Sequence, residues 1–344
     1  MDGAAAGDGL DEAEGYRYLT RLLRLGLEMH LEHGSARRPS FYSLSHDTAK
    51  IGADNPDNLY LNAAIDGRLA YEITGKIGSV PYLSFGTKEN RYAIDGRMIS
   101  TGELDGSDLQ VGAGGTVRII VSREPAAGNW LPMSEASNMV IVRQTFNDRG
   151  REEPARLAIR RLDHAGRAEP VSHELLSPEL LGGQLGRALA FAGGTARTFL
   201  GWVEGFRRDH FNRFALGDQG FFQAAGGDPN ICYLYAFWEM AENEVLQVRS
   251  RVPRCDYWNF QLTNLWMESL DYRFHPVHLN HKTAKLDADG LLRIHVSHHP
   301  VAGLPNNLVA TGHTRGVMLM RWIGADEYPV PELKRMLRKD FAAP

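Results

Sequence analysis

Two stretches of the chain are near copies of each other, and this echo constrains the fold more than any other feature. Residues 114–128 read GGTVRIIVSREPAAG and residues 289–303 read DGLLRIHVSHHPVAG. Each opens on a turn, runs into a short alternating strand and closes on Pro-x-Ala-Gly. Arg118 answers Arg293, Val121 answers Val296 and Ser122 answers Ser297, a spacing of 175 residues in a chain of 344. The match extends outward. Residues 69–87, LAYEITGKIGSVPYLSFGT, lie under 244–262, EVLQVRSRVPRCDYWNFQL, so that Tyr82 falls on Tyr257 and Phe85 on Phe260 with no gap from about residue 70 to 128. Upstream, GADNPDNLYLNAAI at 52–65 matches GGDPNICYLYAF at 226–237, with Asn58 set over Asn230. Downstream, MVIVRQ at 139–144 matches VMLMRW at 317–322 after an insertion of three residues. Two copies at so long a period make an internal duplication rather than a solenoid.

The local patterns say what is duplicated. Leu19, Leu22, Leu23 and Leu27 recur at helical spacing within residues 11–33, and Gly34 supplies a stop. From about residue 58 the alternation becomes two-residue, as in Tyr71/Ile73, Leu83/Phe85, Ile119/Val121 and Val140/Val142. Asp66-Gly67, Asp95-Gly96 and Asp105-Gly106 punctuate it as turns. Strands so closely spaced, without helices between them, indicate a sandwich or jelly roll. Residues 147–172 are charged and read as a connector. Residues 174–210 read as helical, broken into pieces at Gly182-Gly183 and Gly193-Gly194. The expected fold is mainly β with helices (α+β): tandem duplicated jelly-roll-like β-sandwich units, each preceded by a helix. Residues 1–150 hold the first unit, 151–225 the connector and helices, and 226–344 the second unit.

Composition excludes several classes. A net charge of −4 implies no general affinity for nucleic acid or acidic membranes. No run of about 18 apolar residues appears, so no membrane span is expected. The first fifteen residues, MDGAAAGDGLDEAEG, lack a basic-then-apolar leader and read as a frayed tail on a cytoplasmic protein. The two cysteines, Cys232 and Cys255, form no Cys-x-x-Cys and read as free thiols. Walker, Gly-x-Ser-x-Gly and His-Glu-x-x-His signatures are absent, and no cofactor is expected.

The motifs YLSFG, NRYAIDG, GGTVRIIVS, GNWLPM and VIVRQ in the first half, and YWNFQL, DADGLLRIHVS, LPNNLVATGH and VMLMRW in the second, resemble a bacterial family catalogued as domain of unknown function 1214, often found beside a companion numbered 1254. The resemblance covers roughly residues 52–146 and 226–323. It departs where Asn307 stands for the tryptophan that Trp130 keeps in the first half. What the resemblance implies is a pair of jelly-roll-like β domains with helices; it implies no particular reaction.

Candidate site residues come from comparing the halves. Positions alike in both read as scaffold, and positions polar in only one read as functional. On the echoed strand, Ile120 and Glu124 become His295 and His299. On the aromatic strand, Ser84 and Gly86 become Asn259 and Gln261. Further on, Ala93 becomes Glu268, Arg97 becomes Tyr272 and Ser100 becomes His275. Seven of the thirteen histidines fall between His275 and His313. With Trp258 and Trp266 nearby, these residues would line a largely apolar pocket with a few polar groups. The expectation is a cofactor-independent enzyme, of hydrolase or lyase type, acting on a small and largely apolar molecule. His295, His299 and Glu268 would supply acid–base chemistry, and Trp258, Asn259, Gln261, Trp266, Tyr272, His275 and His313 would bind the substrate. A non-catalytic module for a small molecule or carbohydrate, and a structural or assembly protein, are the alternatives; homo-oligomerisation stays open. His295 and His299 lie about 13 Å apart along a strand, too far to share one metal; no metal is assigned, and His295 with His275 or His313 from adjacent strands is the metal-binding alternative.

Overall fold

A computed structural model describes residues 9–163, 165–169 and 175–341. The first lobe contains β1 (Asn58–Ala64), β2 (Ala70–Lys76), β3 (Tyr82–Arg91), β4 (Arg97–Asp105), β5 (Thr116–Ser122), β6 (Asn129–Pro132), β7 (Met139–Thr145) and β8 (Arg156–Leu162). They form two four-stranded sheets, ordered β1-β7-β3-β4 and β6-β5-β2-β8. The second lobe contains β9 (Ile231–Glu239), β10 (Glu244–Ser250), β11 (Tyr257–Thr263), β12 (His278–Asn280), β13 (Leu292–Ser297), β14 (Asn307–Val309), β15 (Arg315–Ile323) and β16 (Glu332–Leu337). Its sheets are β9-β15-β11-β12 and β14-β13-β10-β16. Adding eight to each strand number of the first lobe reproduces the second. The fold is mainly β with helices, a duplication of one β-sandwich unit.

Strand register locates the duplication residue by residue. Tyr71 pairs with Val121 and Leu246 with Val296, both members shifted by the expected 175. Tyr82 pairs with Thr145 and Tyr257 with Ile323, which places the three-residue insertion before the closing strand. Asn58 pairs with Thr145 and Ile231 with Ile323, so Asn58 corresponds to Ile231. The alignment of Asn58 on Asn230 is therefore one residue out, and in a strand one residue changes the face. The turn before the strand settles the register. Asn55 N–H donates to Tyr60 Oη and Asp228 N–H to Tyr233 Oη, each at 3.0 Å, so that Asn55 answers Asp228 and Tyr60 answers Tyr233.

Each lobe has its own sandwich core, built from the alternating apolar faces of its two sheets. Phe85, Ile119, Val121 and Val142 belong to one core, and Phe260, Ile294, Val296 and Met320 to the other. A third apolar cluster lies between the lobes. It joins Tyr82, Met98 and Met139 of the first lobe to Tyr233, Tyr257 and Leu319 of the second. The strands facing it are buried on both sides: every residue of β7 and of β11 is buried.

Two helices lock the lobes together. α1 (Gly9–Leu27) continues into a π-helical turn, Glu28–Glu32, matching the expected helix, and residues 9–15 of the acidic tail belong to it; residues 1–8 lie outside the described part. α1 precedes the first lobe but is anchored by ionic contacts on the second. Asp11 pairs with Arg315 at 2.8 Å, Glu14 with His313 at 2.8 Å and Arg21 with Glu268 at 2.6 Å. α2 (Pro178–Asp209) reaches the first lobe in return. Gly194 packs so tightly on residues 92–93 that a Cβ there would stand 2.1 Å from the Tyr92 carbonyl oxygen. α1 and α2 cross at Gly26, where a Cβ would stand 2.7 Å from Ala188 O.

α2 runs unbroken through Gly182-Gly183 and Gly193-Gly194, where breaks were expected. Ser177 Oγ caps its N-terminus by accepting from Leu180 N, and its buried stripe of Phe191, Phe199, Val203 and Phe206 outweighs the glycine cost. The charged connector also contains β8, which pairs with β2 at the edge of the first lobe's outer sheet. Only Ile159 and Leu162 of β8 are buried, which explains why so polar a segment reads as a linker. No helix among the described residues is long and apolar enough to cross a membrane.

Candidate ligand site between the lobes

The interlobe contacts repeat under a pseudo-two-fold relation. Tyr257 Oη donates to Asp57 Oδ2 at 2.6 Å, and Asn280 Nδ2 donates to the same oxygen. Asn259 Nδ2 donates to Asn55 Oδ1 at 2.8 Å, and at the equivalent place Ser84 Oγ donates to Asp228 Oδ2 at 3.0 Å. Arg143 on β7 and Arg321 on β15 are also equivalents. Each sends its Nη2 to a backbone carbonyl of the opposite lobe, Arg143 to Gly226 and Arg321 to Ala53.

A cavity of about 130 Å³ opens between these two arginines. Both lobes line it. Ile51, Met98, Phe199, Trp202 and Phe222 form apolar wall, and Tyr60, Tyr233, Tyr235, Ser45 and the two guanidinium groups form the polar part. Strand alternation directs Tyr233, Tyr235 and Arg321 away from the second lobe's own core and into the interlobe layer. The volume is close to that of a cavity that holds benzene, about 150 Å³.

The polar part is rich in donors. Burial pushes the Tyr233 hydroxyl up to about 12, and burial raises that of Tyr235 as well, so both keep their protons at neutral pH. Arg143 Nη1 and Ser45 Oγ are buried and make no hydrogen bond among the described residues. Arg143 is 6% exposed, and its Nη1 stands 3.5 Å from Asp228 Oδ2, so its charge is balanced. Arg321 is 5% exposed and donates through Nη1 to Asn259 Oδ1 and Gln261 Oε1, which are dipoles rather than charges. No carboxylate of the described residues forms an ion pair with it. A guanidinium taken from water without a counter-charge is costly, even when its hydrogen bonds are made.

Comparison with solved structures places the fold. The chain superposes on an uncharacterised protein from Burkholderia cenocepacia with a TM-score of 0.93 and 43% sequence identity, covering 98% of this chain and 92% of that one. The chain belongs to the family of that protein. A Vibrio parahaemolyticus protein of 15% identity, with a TM-score of 0.53 over 94% of this chain and 98% of its own, shares the fold. No family model and no curated protein matches.

In this member of the family, the residues singled out by sequence comparison scatter. Asn259 and Gln261 do not line the cavity, but both hold Arg321, which does. His295 and Glu268 share no partner. His295 is buried on β13 in the outer sheet, with Nδ1 3.1 Å from Pro305 O and Nε2 3.1 Å from Gln247 Nε2. The carbonyl only accepts, so Nδ1 carries the proton and Nε2 accepts from the amide. Burial, reinforced by Arg293, holds this imidazole below its usual range. Glu268 is buried against Arg21 of α1 and Asn264. The expected acid–base pair is therefore not assembled; each group serves a structural contact of its own. His299 and His275 lie exposed in turns. His313 is the buried partner of Glu14. Trp258 packs in the second lobe's core against Trp322, Trp266 donates from Nε1 to Asp11 O on α1, and Tyr272 lies under the Lys50 ammonium. Arg143 and Arg321 read as scaffold because they are alike in both halves, and Tyr60 and Tyr233 are not matched because setting Asn58 over Asn230 puts Tyr60 over Cys232. The signal was present in MVIVRQ and VMLMRW, each of which carries a charged residue in an otherwise buried strand.

Proposed function

We propose that this protein binds a small molecule in the cavity between its lobes, with the apolar body of the ligand against Phe199, Trp202 and Met98 and an acceptor group toward the arginines and tyrosines. The observation that carries this reading is the pair of equivalent buried arginines on one cavity, where Arg143 Nη1 and Ser45 Oγ make no hydrogen bond among the described residues. The binding reading gains on the acid–base reading because the histidines and Glu268 are engaged elsewhere. The resemblance to domain of unknown function 1214 and a cytoplasmic location, which two free thiols suit, belong to the same proposal. The test follows Trp202 fluorescence during titration with small acids, amides and alcohols. A saturable change in the wild type that is lost in Met98→Trp, which fills the cavity, supports the reading. Equal responses in the two proteins refute it.

A further inference from the structure

We infer that the ligand is a small monocarboxylate held by the charge of Arg321; this rests on the cavity being the binding site. The inference comes from a difference within the pseudo-two-fold. Arg143 faces Asp228, and the residue equivalent to Asp228 beside Arg321 is Asn55. The replacement preserves shape. Asn55 Oδ1 accepts from Asp57 N as Asp228 Oδ1 accepts from Asn230 N, both at 3.0 Å. What changes is the place of the carboxylate: in the first lobe it sits two residues on, at Asp57, where Tyr257, Asn280 and His278 hold it away from the arginine.

The other charged groups near the cavity are engaged elsewhere. Asp54, which lines it, turns its carboxylate to the backbone N–H and hydroxyl of Ser269, and Lys88 is paired with Glu103. Arg143 is paired with Asp228, whereas no carboxylate of the described residues is in ion-pair contact with Arg321. A carboxylate on the ligand would supply that contact. Its donors suit a carboxylate: Arg143 Nη1, though in ionic contact with Asp228, makes no hydrogen bond among the described residues, and the Tyr233 and Tyr235 hydroxyls are protonated. A volume near that which holds a benzene ring, with aromatic walls, sets the body of the acid at about six carbon atoms.

The experiment measures affinities by calorimetry for butyrate, hexanoate and benzoate and for their neutral amides, in the wild type, Asn55→Asp and Asp228→Asn. Asn55→Asp supplies the missing carboxylate without altering shape. It should weaken the best acid roughly thirtyfold or more, the loss expected when a buried charge pair is disrupted, and leave the matched amide within about threefold. Asp228→Asn releases a second arginine charge and should tighten the same acid. If amides bind as well as acids, or if Asn55→Asp leaves the acid unaffected, the carboxylate inference fails while the cavity reading stands. If neither acids nor amides bind the wild type, both fall. Circular dichroism and melting temperature confirm that each variant is folded.

Discussion

The docking of α1 on the opposite lobe depends on a buried ion pair with a calculable pH signature. Glu14 and His313 are 6% and 4% exposed and meet at 2.8 Å. Both imidazole nitrogens face acceptors, Nε2 the Glu14 carboxylate and Nδ1 the Ala310 carbonyl, so the ring is held as the cation. Burial pushes His313 down, but the Glu14 hydrogen bond and charge outweigh it and hold its pKa above the usual 6.5. Burial pushes Glu14 up, and His313, Asn264 and Arg17 outweigh it and hold it below 4.5. The His313 contribution is therefore complete below pH 6.5 and lost as pH rises through the raised value. The Glu14 contribution is complete above pH 4.5 and lost as pH falls through the lowered one. Glu14→Gln keeps the shape and an acceptor for Asn264 but removes the charge. A charge-assisted bond contributes about 1.5–3 kcal/mol. With an unfolding entropy of about 2.1 cal/mol/K per residue, a chain of 344 residues loses about 2–4 °C at pH 6. Differential scanning calorimetry from pH 5.5 to 9 should show the difference between wild type and Glu14→Gln shrinking toward alkaline pH. A constant difference across that range, or none at pH 6, would refute the assignment of the pair as charged.

Three further tests probe other parts of the structure. Gly194→Ala should lower the melting temperature by several degrees although alanine is the better helix former, because its Cβ would press on the Tyr92 carbonyl; Gly182→Ala, with open space around it, should raise stability by about 0.5–1 kcal/mol. His295→Ala should destabilise the protein by about 1–3 kcal/mol, by stranding Gln247 and the Pro305 carbonyl, and leave ligand affinity at the cavity unchanged in titration calorimetry. Burial raises Cys232 to about 12, and burial with Asp256 and Asp326 raises Cys255 to about 11. Fewer than about one thiol in a thousand is then ionised at pH 8, and iodoacetamide should label neither cysteine until denaturant is added.

The duplication was legible because repeated turns and alternating strands survive divergence at the level of residue type. β8 and the continuity of α2 were not, because both depend on tertiary context. β8 buries two side chains and takes its hydrogen bonds from β2, and α2 tolerates its glycines because one of them is needed where the helix presses on the first lobe. The one-residue slip at Asn58 has the same origin, since the turn that sets the register closes through the Tyr60 and Tyr233 hydroxyls, several residues away.

The site was missed for a reason that follows from symmetry. Treating positions alike in both halves as scaffold holds for a duplicated chain whose site lies within one copy. Here the cavity lies where the copies meet, so each lobe contributes the same positions to it, and residues such as Arg143 and Arg321 are repeated because both face the shared space. Divergence at such an interface has a different meaning. A change remote from the pseudo-axis, such as Ile120 to His295, alters one lobe's packing. A change beside it, such as Asp228 to Asn55, alters a space that both lobes share, and with the carboxylate moved to Asp57 one guanidinium has no carboxylate in contact. In a molecule of this design, the informative comparison is between the surroundings of two repeated residues, and there the position of a single carboxylate separates two otherwise matching arginines.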